Sequence, residues 1–236
     1  MIDREKLKEY SESFGVSLNP DQLVQFDDYC RLLLEWNQKM NLTAIREPSE
    51  VLVKHFVDSL ALLKFAELPQ GAKLIDVGTG AGFPGVPLKI ARPDFKLTLL
   101  DSLNKRLIFL QAVCQTLGLD AKVIHSRAEE SGKLSSFRQQ YDAAVSRAVA
   151  PLNLLAEYCL PFVKVGGVFL AAKGPQLEEE LPQGENAVRL LGGRVERVER
   201  YALPDGSSRT LAVIRKERPT QAQYPRHGSK IAKKPL

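Results

Sequence analysis

One segment of the chain combines residue types and spacing suited to binding a ligand: Leu74-Ile75-Asp76-Val77-Gly78-Thr79-Gly80-Ala81-Gly82-Phe83-Pro84-Gly85. Glycines let a backbone turn sharply and approach a ligand closely. Asp76 precedes three alternating glycines, and Asp101 follows about 20 residues further on, the spacing of nucleotide-binding folds. A carboxylate at Asp101 can accept hydrogen bonds from both hydroxyls of a ribose. The pattern indicates a cofactor that contains a nucleoside.

Two cofactor classes fit this loop. The segment from Gly80 to Gly85 matches the GxGxxG motif, in which Asp101 would serve NAD. Asp76 argues against a dinucleotide, because its carboxylate would face the pyrophosphate unfavourably, whereas it suits the ammonium group of S-adenosylmethionine, directly or through water. Pro84 also removes one amide that a helix start could offer to a phosphate. The residues favour S-adenosylmethionine; NAD, or a glycine turn that serves only helix–strand packing, are the alternatives.

Short apolar runs alternate with amphipathic stretches around this loop. We predict strands over residues 74–77, 95–100, 121–125, 141–146 and 168–172, with helices starting at Pro84, over 103–117 and around 152–163. This alternation predicts an α/β fold with a mostly parallel, doubly wound sheet, whose ligands bind at the carboxyl ends of the strands. Segments 195–203 and 210–214 flank a turn and predict a C-terminal antiparallel hairpin.

The first 65 residues are predicted to be helical. Asn19-Pro20-Asp21 has the pattern of a helix N-terminus, with an N-cap, a first-turn proline and an acidic first turn. We divide the chain into an N-terminal helical extension (1–70), a core (71–217) and a basic C-terminal tail (218–236).

Composition excludes several classes of protein. The 236 residues are 44% hydrophobic and 26% charged, too apolar for a disordered chain and too mixed in charge for a fibrous one. Three widely separated cysteines, Cys30, Cys114 and Cys159, provide neither a disulfide framework nor a zinc spacing. The N-terminus lacks a signal-peptide pattern, and no apolar run approaches the ~18 residues of a membrane span. We expect a cytoplasmic monomer without a metal.

The positive charge is concentrated at the C-terminus. Residues 215–236 carry seven Lys and Arg against the single Glu217, a charge of +6, so the rest of the chain sums to −1. Three prolines exclude a long helix there. The segment is interpreted either as a solvated, partly disordered terminus or as an electrostatic arm for a polyanion such as nucleic acid.

At these residues the chain resembles class I methyltransferases, and several segments, in the same order along nearly the whole chain, resemble the RsmG (GidB) family more closely. They are residues 36–45, His55-Phe56-Val57-Asp58-Ser59-Leu60, 76–85, 101–106, Ser146-Arg147-Ala148, and Gly166-Gly167 through Lys173-Gly174. That family methylates N7 of one guanosine in a loop of bacterial 16S ribosomal RNA. The resemblance implies a class I methyltransferase (Rossmann-like) sheet, S-adenosylmethionine as cofactor, and 16S ribosomal RNA, the small ribosomal subunit or an assembly intermediate as partner.

The resemblance also implies site residues. Gly78 and Phe83 match cofactor-contacting positions, Ala128 and Glu129 match positions flanking the adenosine, and Arg147 matches another ligand contact. Chemistry adds four cofactor-binding candidates, Asp76, Gly80, Gly82 and Asp101. The candidate phosphate contacts are Arg147 and Lys173 at the cofactor mouth and, in the tail, Arg226, Lys230, Lys233 and Lys234. We expect truncation after Glu217 to weaken RNA binding and to leave cofactor affinity intact.

No catalytic acid or base is predicted. Guanine N7 carries an in-plane lone pair and no hydrogen, so it can attack a sulfonium methyl group without a general base. The enzyme must instead align the reactants and exclude water. His55 and Asp58 are left open between helix-face positions and positions facing the cofactor. A small-molecule methyltransferase and a non-catalytic RNA-binding protein of the same fold are the alternatives.

Overall fold

Seven strands form the sheet that positions the predicted loop. The computed structural model describes residues 1–147, 150–175 and 177–236. The strands are β1 (Lys73–Val77), β2 (Lys96–Asp101), β3 (Ala121–His125), β4 (Tyr141–Arg147), β5 (Val163–Lys173), β6 (Gly193–Ala202) and β7 (Ser208–Lys216). Their order is β3-β2-β1-β4-β5-β7-β6. β1 to β5 are parallel, and β7 runs antiparallel to both β5 and β6. The predicted α/β sheet with an antiparallel C-terminal hairpin is confirmed.

Helices cover both faces of this sheet. They are α1 (Arg4–Ser13), α2 (Pro20–Met40), α3 (Pro48–Val51), α4 (Asp58–Leu60), α5 (Gly85–Ala91), α6 (Asn104–Leu117), α7 (Ala128–Ser131), α8 (Leu152–Cys159), α9 (Leu177–Leu190) and α10 (Gly228–Lys233). A π-helix (Leu52–Val57) joins α3 to α4, and 3₁₀ turns cover Ala61–Lys64 and Leu160–Phe162. Among the described residues, no helix has the length and apolarity needed to cross a bilayer.

The sheet separates two hydrophobic cores. Alternate residues of β1 point to opposite faces, so Leu74 packs into the core beneath α2 and α6, and Ile75 packs into the core beneath α8 and α9. Both residues are fully buried. Burial on both faces explains why the parallel strands appear in the sequence as continuous apolar runs.

The N-terminal helices share the first of these cores. Asn19 caps α2 as predicted, and its side chain and that of Gln22 form a reciprocal capping box. Gln22 Nε2 also donates to the Ile90 carbonyl of α5 at 2.7 Å. The capping residues therefore both start α2 and attach it to the helix that follows the glycine loop.

The C-terminal segment is folded onto the protein, so the expectation of a partly disordered or free arm is wrong. Thr220, Tyr224 and Ile231 are buried. Arg226 bonds to Glu157 of α8, with Nη2 at 2.6 Å from Oε2 and the backbone amide at 2.8 Å from Oε1. Glu157 is completely buried, and a buried carboxylate is stable only when it is paired and hydrogen-bonded. Apolar contacts and this ion pair hold the segment in place.

Lys216 at the end of β7 is buried in the same region. Its Nζ donates to the carbonyl oxygens of Leu160 and Leu191 and to the Thr220 hydroxyl. Burial, together with the charge of the nearby Arg138, lowers the pKa of Lys216 to about 7. Part of the C-terminal positive charge is therefore inside the protein and unavailable to a polyanion.

We predict that Lys216 makes stability depend on pH. Its folded pKa lies below its unfolded one, so between about pH 7 and 10 the unfolded chain binds a proton that the folded chain has lost. Across that window, the stability of the natural chain relative to Lys216→Met rises by up to about 1.4 kcal/mol per pH unit. Chemical denaturation of both chains at several pH values measures the difference, and parallel stability curves would contradict the prediction.

Candidate functional site

A cavity of about 890 Å³ lies at the carboxyl ends of β1 to β5. It spans the position where β1 and β4 lie side by side and the strand order reverses, which is where open α/β sheets bind ligands. Eight of the residues predicted from sequence line it: Gly78, Gly80, Phe83, Asp101, Ala128, Glu129, Arg147 and Lys173. Ala148, which belongs to one of the segments used in the sequence comparison, lies outside the described residues.

The glycine loop forms the floor of this cavity. Gly78 and Gly80 have φ angles of 70° and 62°, which glycine adopts without strain. A Cβ added at Gly80 would meet open space, with its nearest neighbour 4.0 Å away. Most of the loop amides already donate within the protein; they belong to Gly78, Thr79, Gly80, Gly82, Phe83 and Gly85. The loop therefore lets a ligand approach its backbone closely. It offers few free N–H groups that could bind a phosphate.

Asp76 lies beneath this loop, outside the cavity lining, so of its two expected modes of contact, direct and through water, the structure does not support the direct one. Its Oδ2 accepts from the Thr79 hydroxyl at 2.7 Å and from the Gly85 amide at 2.8 Å. Its Oδ1 has no hydrogen-bond partner in the described part of the chain. Burial raises the pKa of Asp76 to about 6, and the two hydrogen bonds oppose that rise. The carboxylate fixes the shape of the loop.

Gly82 also differs from its predicted role, because it faces the protein interior. A Cβ there would lie 2.5 Å from Tyr29 Oη and 2.8 Å from Val86 Cγ2. Tyr29 of α2 is fully buried, and its hydroxyl donates to the Ala81 carbonyl at 2.5 Å. Its ring stacks on Phe83 with centroids 5.3 Å apart. Gly82 thus allows α2 to approach and support the loop.

Asp101 at the end of β2 holds the opposite side of the loop. Its Oδ2 accepts from the Gly80 amide and its Oδ1 from the Leu103 amide, both at 2.9 Å. Arg106 contacts Oδ2 at 3.3 Å. Oδ2 thus has two donors, whereas Oδ1 accepts from Leu103 alone, so Oδ1 can still accept a hydrogen bond from a ligand in the cavity.

Asp58, left open by the sequence, is the centre of a buried polar cluster at the β4 side of the cavity. Its Oδ2 accepts from Arg147 Nη1 at 3.1 Å. Its Oδ1 accepts from Tyr201 Oη at 3.2 Å and lies 3.3 Å from Arg209 Nε. Tyr201 is 143 residues away from Asp58 in sequence, and neither it nor Arg209 belongs to a recognisable motif. The contacts of Tyr201 and Arg209 with Asp58 are therefore visible in the folded structure and not in the sequence.

His55 completes this cluster from the π-helix. Its Nδ1 lies 3.1 Å from Arg147 Nη2 and its Nε2 lies 2.9 Å from Thr43 Oγ1. The ring stacks on Phe83 at a centroid distance of 4.3 Å. Burial lowers the pKa of His55 to about 3, and the charge of Arg147 contributes. We therefore assign a neutral imidazole that accepts from Arg147 at Nδ1 and carries its proton on Nε2.

Three predicted phosphate contacts are occupied by protein groups, and Arg147, paired with Asp58 at 3.1 Å, is the first of them. Lys173 Nζ donates to the Ala150 carbonyl at 2.7 Å and pairs with Glu180 at 2.9 Å. Arg226 is paired with Glu157 as described above. Because these cations are already neutralised, the structure does not support them as phosphate contacts. The remaining tail candidates are exposed; they are Lys230, Lys233 and Lys234.

Comparison with known proteins identifies the family. Residues 22–209 match the family described as "rRNA small subunit methyltransferase G". The chain belongs to this family. It is 52% identical over 232 residues to the ribosomal RNA small subunit methyltransferase G of Alkaliphilus metalliredigens, covering 98% of this chain and 97% of that one. It is 45% identical over 237 residues to the Brevibacillus brevis protein of the same name, covering both chains completely.

Solved structures support the fold assignment. A precorrin-6y C5,15-methyltransferase from Geobacter metallireducens matches with a TM-score of 0.52 at 13% identity, covering 75% of this chain and 92% of that one. TrmN from Thermus thermophilus matches with a TM-score of 0.51 at 18% identity, covering 68% and 48%. The protein therefore has a class I methyltransferase fold, and its family methylates RNA of the small ribosomal subunit.

We predict that alanine is tolerated better at Gly80 than at Gly82. Both positions have positive φ, 62° at Gly80 and 97° at Gly82, so both variants carry backbone strain and Gly82→Ala carries more of it. Only Gly82→Ala forces a methyl group into Tyr29 and Val86, an overpacking cost of about 1–3 kcal/mol. Urea denaturation measures both free energies of unfolding, and equal losses would contradict the assignment of Gly82 to packing.

We also predict that His55 does not titrate near neutral pH. Its imidazole resonances should stay constant between about pH 5 and 8. In Arg147→Met the pKa of His55 should rise, because a neighbouring positive charge is removed while burial remains. NMR titration of the natural chain and the variant measures both effects, and a midpoint at the ordinary histidine value in the natural chain would refute the neutral assignment.

Proposed function

We propose that this chain transfers a methyl group from S-adenosylmethionine to N7 of a guanosine in 16S ribosomal RNA. One observation carries the proposal: in a member of the rRNA small subunit methyltransferase G family, a single cavity gathers the strand-end residues expected to bind a nucleoside cofactor. A ribosomal RNA substrate would place the enzyme in the cytoplasm, acting on free RNA or on the small subunit.

The amides of the glycine loop support S-adenosylmethionine over NAD. A dinucleotide pyrophosphate needs free N–H groups at the loop and helix start. Here the Gly80 amide donates to Asp101, the Gly82 and Phe83 amides donate to Thr79, and the Gly85 amide donates to Asp76. S-adenosylmethionine has no phosphate and places no such demand on these groups.

Several cavity residues would hold this cofactor. Asp101 would accept from a ribose hydroxyl through Oδ1, Gly78 and Gly80 would allow close backbone approach, and Ala128 and Glu129 would flank the adenosine. When bound, S-adenosylmethionine supplies an electrophilic methyl group on a cationic sulfur. The protein must therefore hold the target base in line and exclude water from the cavity.

The chemistry of guanine N7 agrees with the hydrogen bonding around the cavity. Neutral His55 uses one ring nitrogen as an acceptor from Arg147 and the other as a donor to Thr43. Asp58 already accepts from Arg147 and Tyr201. Neither group is poised to remove a proton, and attack by N7 needs none. The Asp58 carboxylate can instead stabilise positive charge that develops on the purine during transfer.

Two measurements test the proposal. Calorimetric titration should show binding of S-adenosylmethionine and no binding of NAD, and the opposite result would exclude the cofactor assignment. For the substrate, 16S RNA from cells with and without this gene should differ at one N7-methylguanosine, detected by chemical cleavage. An unchanged cleavage pattern would exclude the RNA assignment.

We predict that the exposed lysines in and directly after the C-terminal helix contact RNA phosphates. Gln substitution should lower the slope of log affinity against log salt by about 2–3, because each lost phosphate contact removes ~0.7–0.9. The three positions are Lys230, Lys233 and Lys234. Filter binding of 16S RNA at several salt concentrations measures the slope.

A matched triple variant controls for the change in net charge. It replaces three exposed lysines that do not line the cavity with Gln, two of which begin β1 and β2 at the opposite sheet edge. They are Lys8, Lys73 and Lys96. Equal slopes for the two triple variants would show that net charge, rather than the position of the helix, determines RNA binding.

A further inference from the structure

The C-terminal segment contributes to the wall of the cavity. Gly228 and Ala232, one helical turn apart in α10, line the cavity on the side where Ala128, Glu129 and Tyr158 also lie. Residues 4 positions apart share one face of a helix, so α10 turns this face toward the cavity. The exposed lysines of α10 lie at other positions along the helix.

Gly228 packs directly against Glu129. A Cβ built at Gly228 would overlap Glu129 Oε1 and would lie 3.0 Å from its Cδ. Glu129 is buried although it carries a carboxylate. The absence of a side chain at Gly228 therefore leaves the space in which the Glu129 carboxylate sits.

Buried polar contacts fix α10 at this place. Arg226 Nη2 bonds to Glu157 Oε2 at 2.6 Å. Glu157 precedes Tyr158 on α8, so the residue that anchors the segment and a residue that lines the cavity are neighbours in sequence. Arg138 donates to the carbonyl oxygens of Thr220 and Tyr224 at 2.7 and 2.8 Å. The segment that leads into α10 is thus tied to the body of the protein at Thr220, Tyr224 and Arg226.

We propose that the C-terminal segment, residues 218–236, completes the adenosine end of the cofactor cavity. Gly228 is a positioning residue for the Glu129 carboxylate, and the Arg226–Glu157 pair holds α10 against the cavity. The inference rests on the proposed function, because an adenosine end presupposes that cofactor. It reverses the sequence-based expectation that truncation after Glu217 leaves cofactor affinity intact.

Isothermal titration of the full chain with S-adenosylhomocysteine tests this role. Gly228→Ala should bind at least about tenfold more weakly, because the added methyl group displaces Glu129 or α10. Ser229→Ala is the matched control, since Ser229 is exposed and adjacent, and its affinity should stay within about twofold of the natural chain. Thermal melting of each variant reports whether it is folded.

A double-mutant cycle separates positioning of Glu129 from general damage to α10. If Gly228→Ala acts by displacing the Glu129 carboxylate, it should cost little further affinity in a Glu129→Ala background. A full additional loss in that background would contradict the role of Gly228 as a positioning residue for Glu129.

A second variant decides the outcome if Gly228→Ala does not fold. Ala232 is exposed and lines the cavity, so Ala232→Leu adds bulk to the cavity without disturbing a core. It too should weaken binding about tenfold. Natural affinity in folded Gly228→Ala and Ala232→Leu would overturn this inference and leave the proposed function intact. Failure of the natural chain to bind S-adenosylhomocysteine or S-adenosylmethionine would overturn the proposed function and, with it, this inference.

Discussion

The buried carboxylate of Asp76 fixes the loop on which the whole cavity depends. It connects the start and end of the loop, because Oδ2 accepts from Thr79 and from Gly85. A side chain at Gly85 would lie 2.7 Å from that same oxygen, so the position must be glycine. Burial of the carboxylate carries an electrostatic cost, expressed in its raised pKa of about 6. The two hydrogen bonds offset part of that cost and give the loop one defined conformation.

The N-terminal helices support the loop from its other side and supply part of the site. Tyr29 of α2 contacts the loop through its hydroxyl and through its ring. The π-helix places His55 against Phe83, and α4 places Asp58 beside Arg147. π-helical turns are often found at functional sites. The residues that line the cavity thus come from the helical extension as well as from the strand ends.

Much of the fold could be predicted because local patterns and tertiary structure agree. The buried parallel strands appear as apolar runs, and the Asn19 cap appears as a short polar motif. Gly78, Gly80 and Asp101 were found as cavity residues because strand ends converge at one edge of a parallel sheet. The inward orientation of Asp76 and Gly82 was missed because sequence spacing does not show which side of a loop faces solvent.

The remaining features depend on contacts between distant segments. Tyr201 on β6 and Arg209 on β7 both contact Asp58. No local sequence pattern predicts these contacts. The sequence overstates how much positive charge the C-terminal segment can offer to a partner. Arg226 is paired with Glu157, which is fully buried and 69 residues away. Counting charges gives their sum, whereas burial and pairing determine which of them a partner can reach.

The most direct test of the account is methyl transfer by the purified chain. Small ribosomal subunits, or their 16S RNA, from cells lacking the gene would be incubated with the protein and S-adenosylmethionine carrying a labelled methyl group. Digestion and mass spectrometry would then locate the label. We expect label on N7 of a guanine at a single position. Label on another atom or base, or none on either substrate, would contradict it.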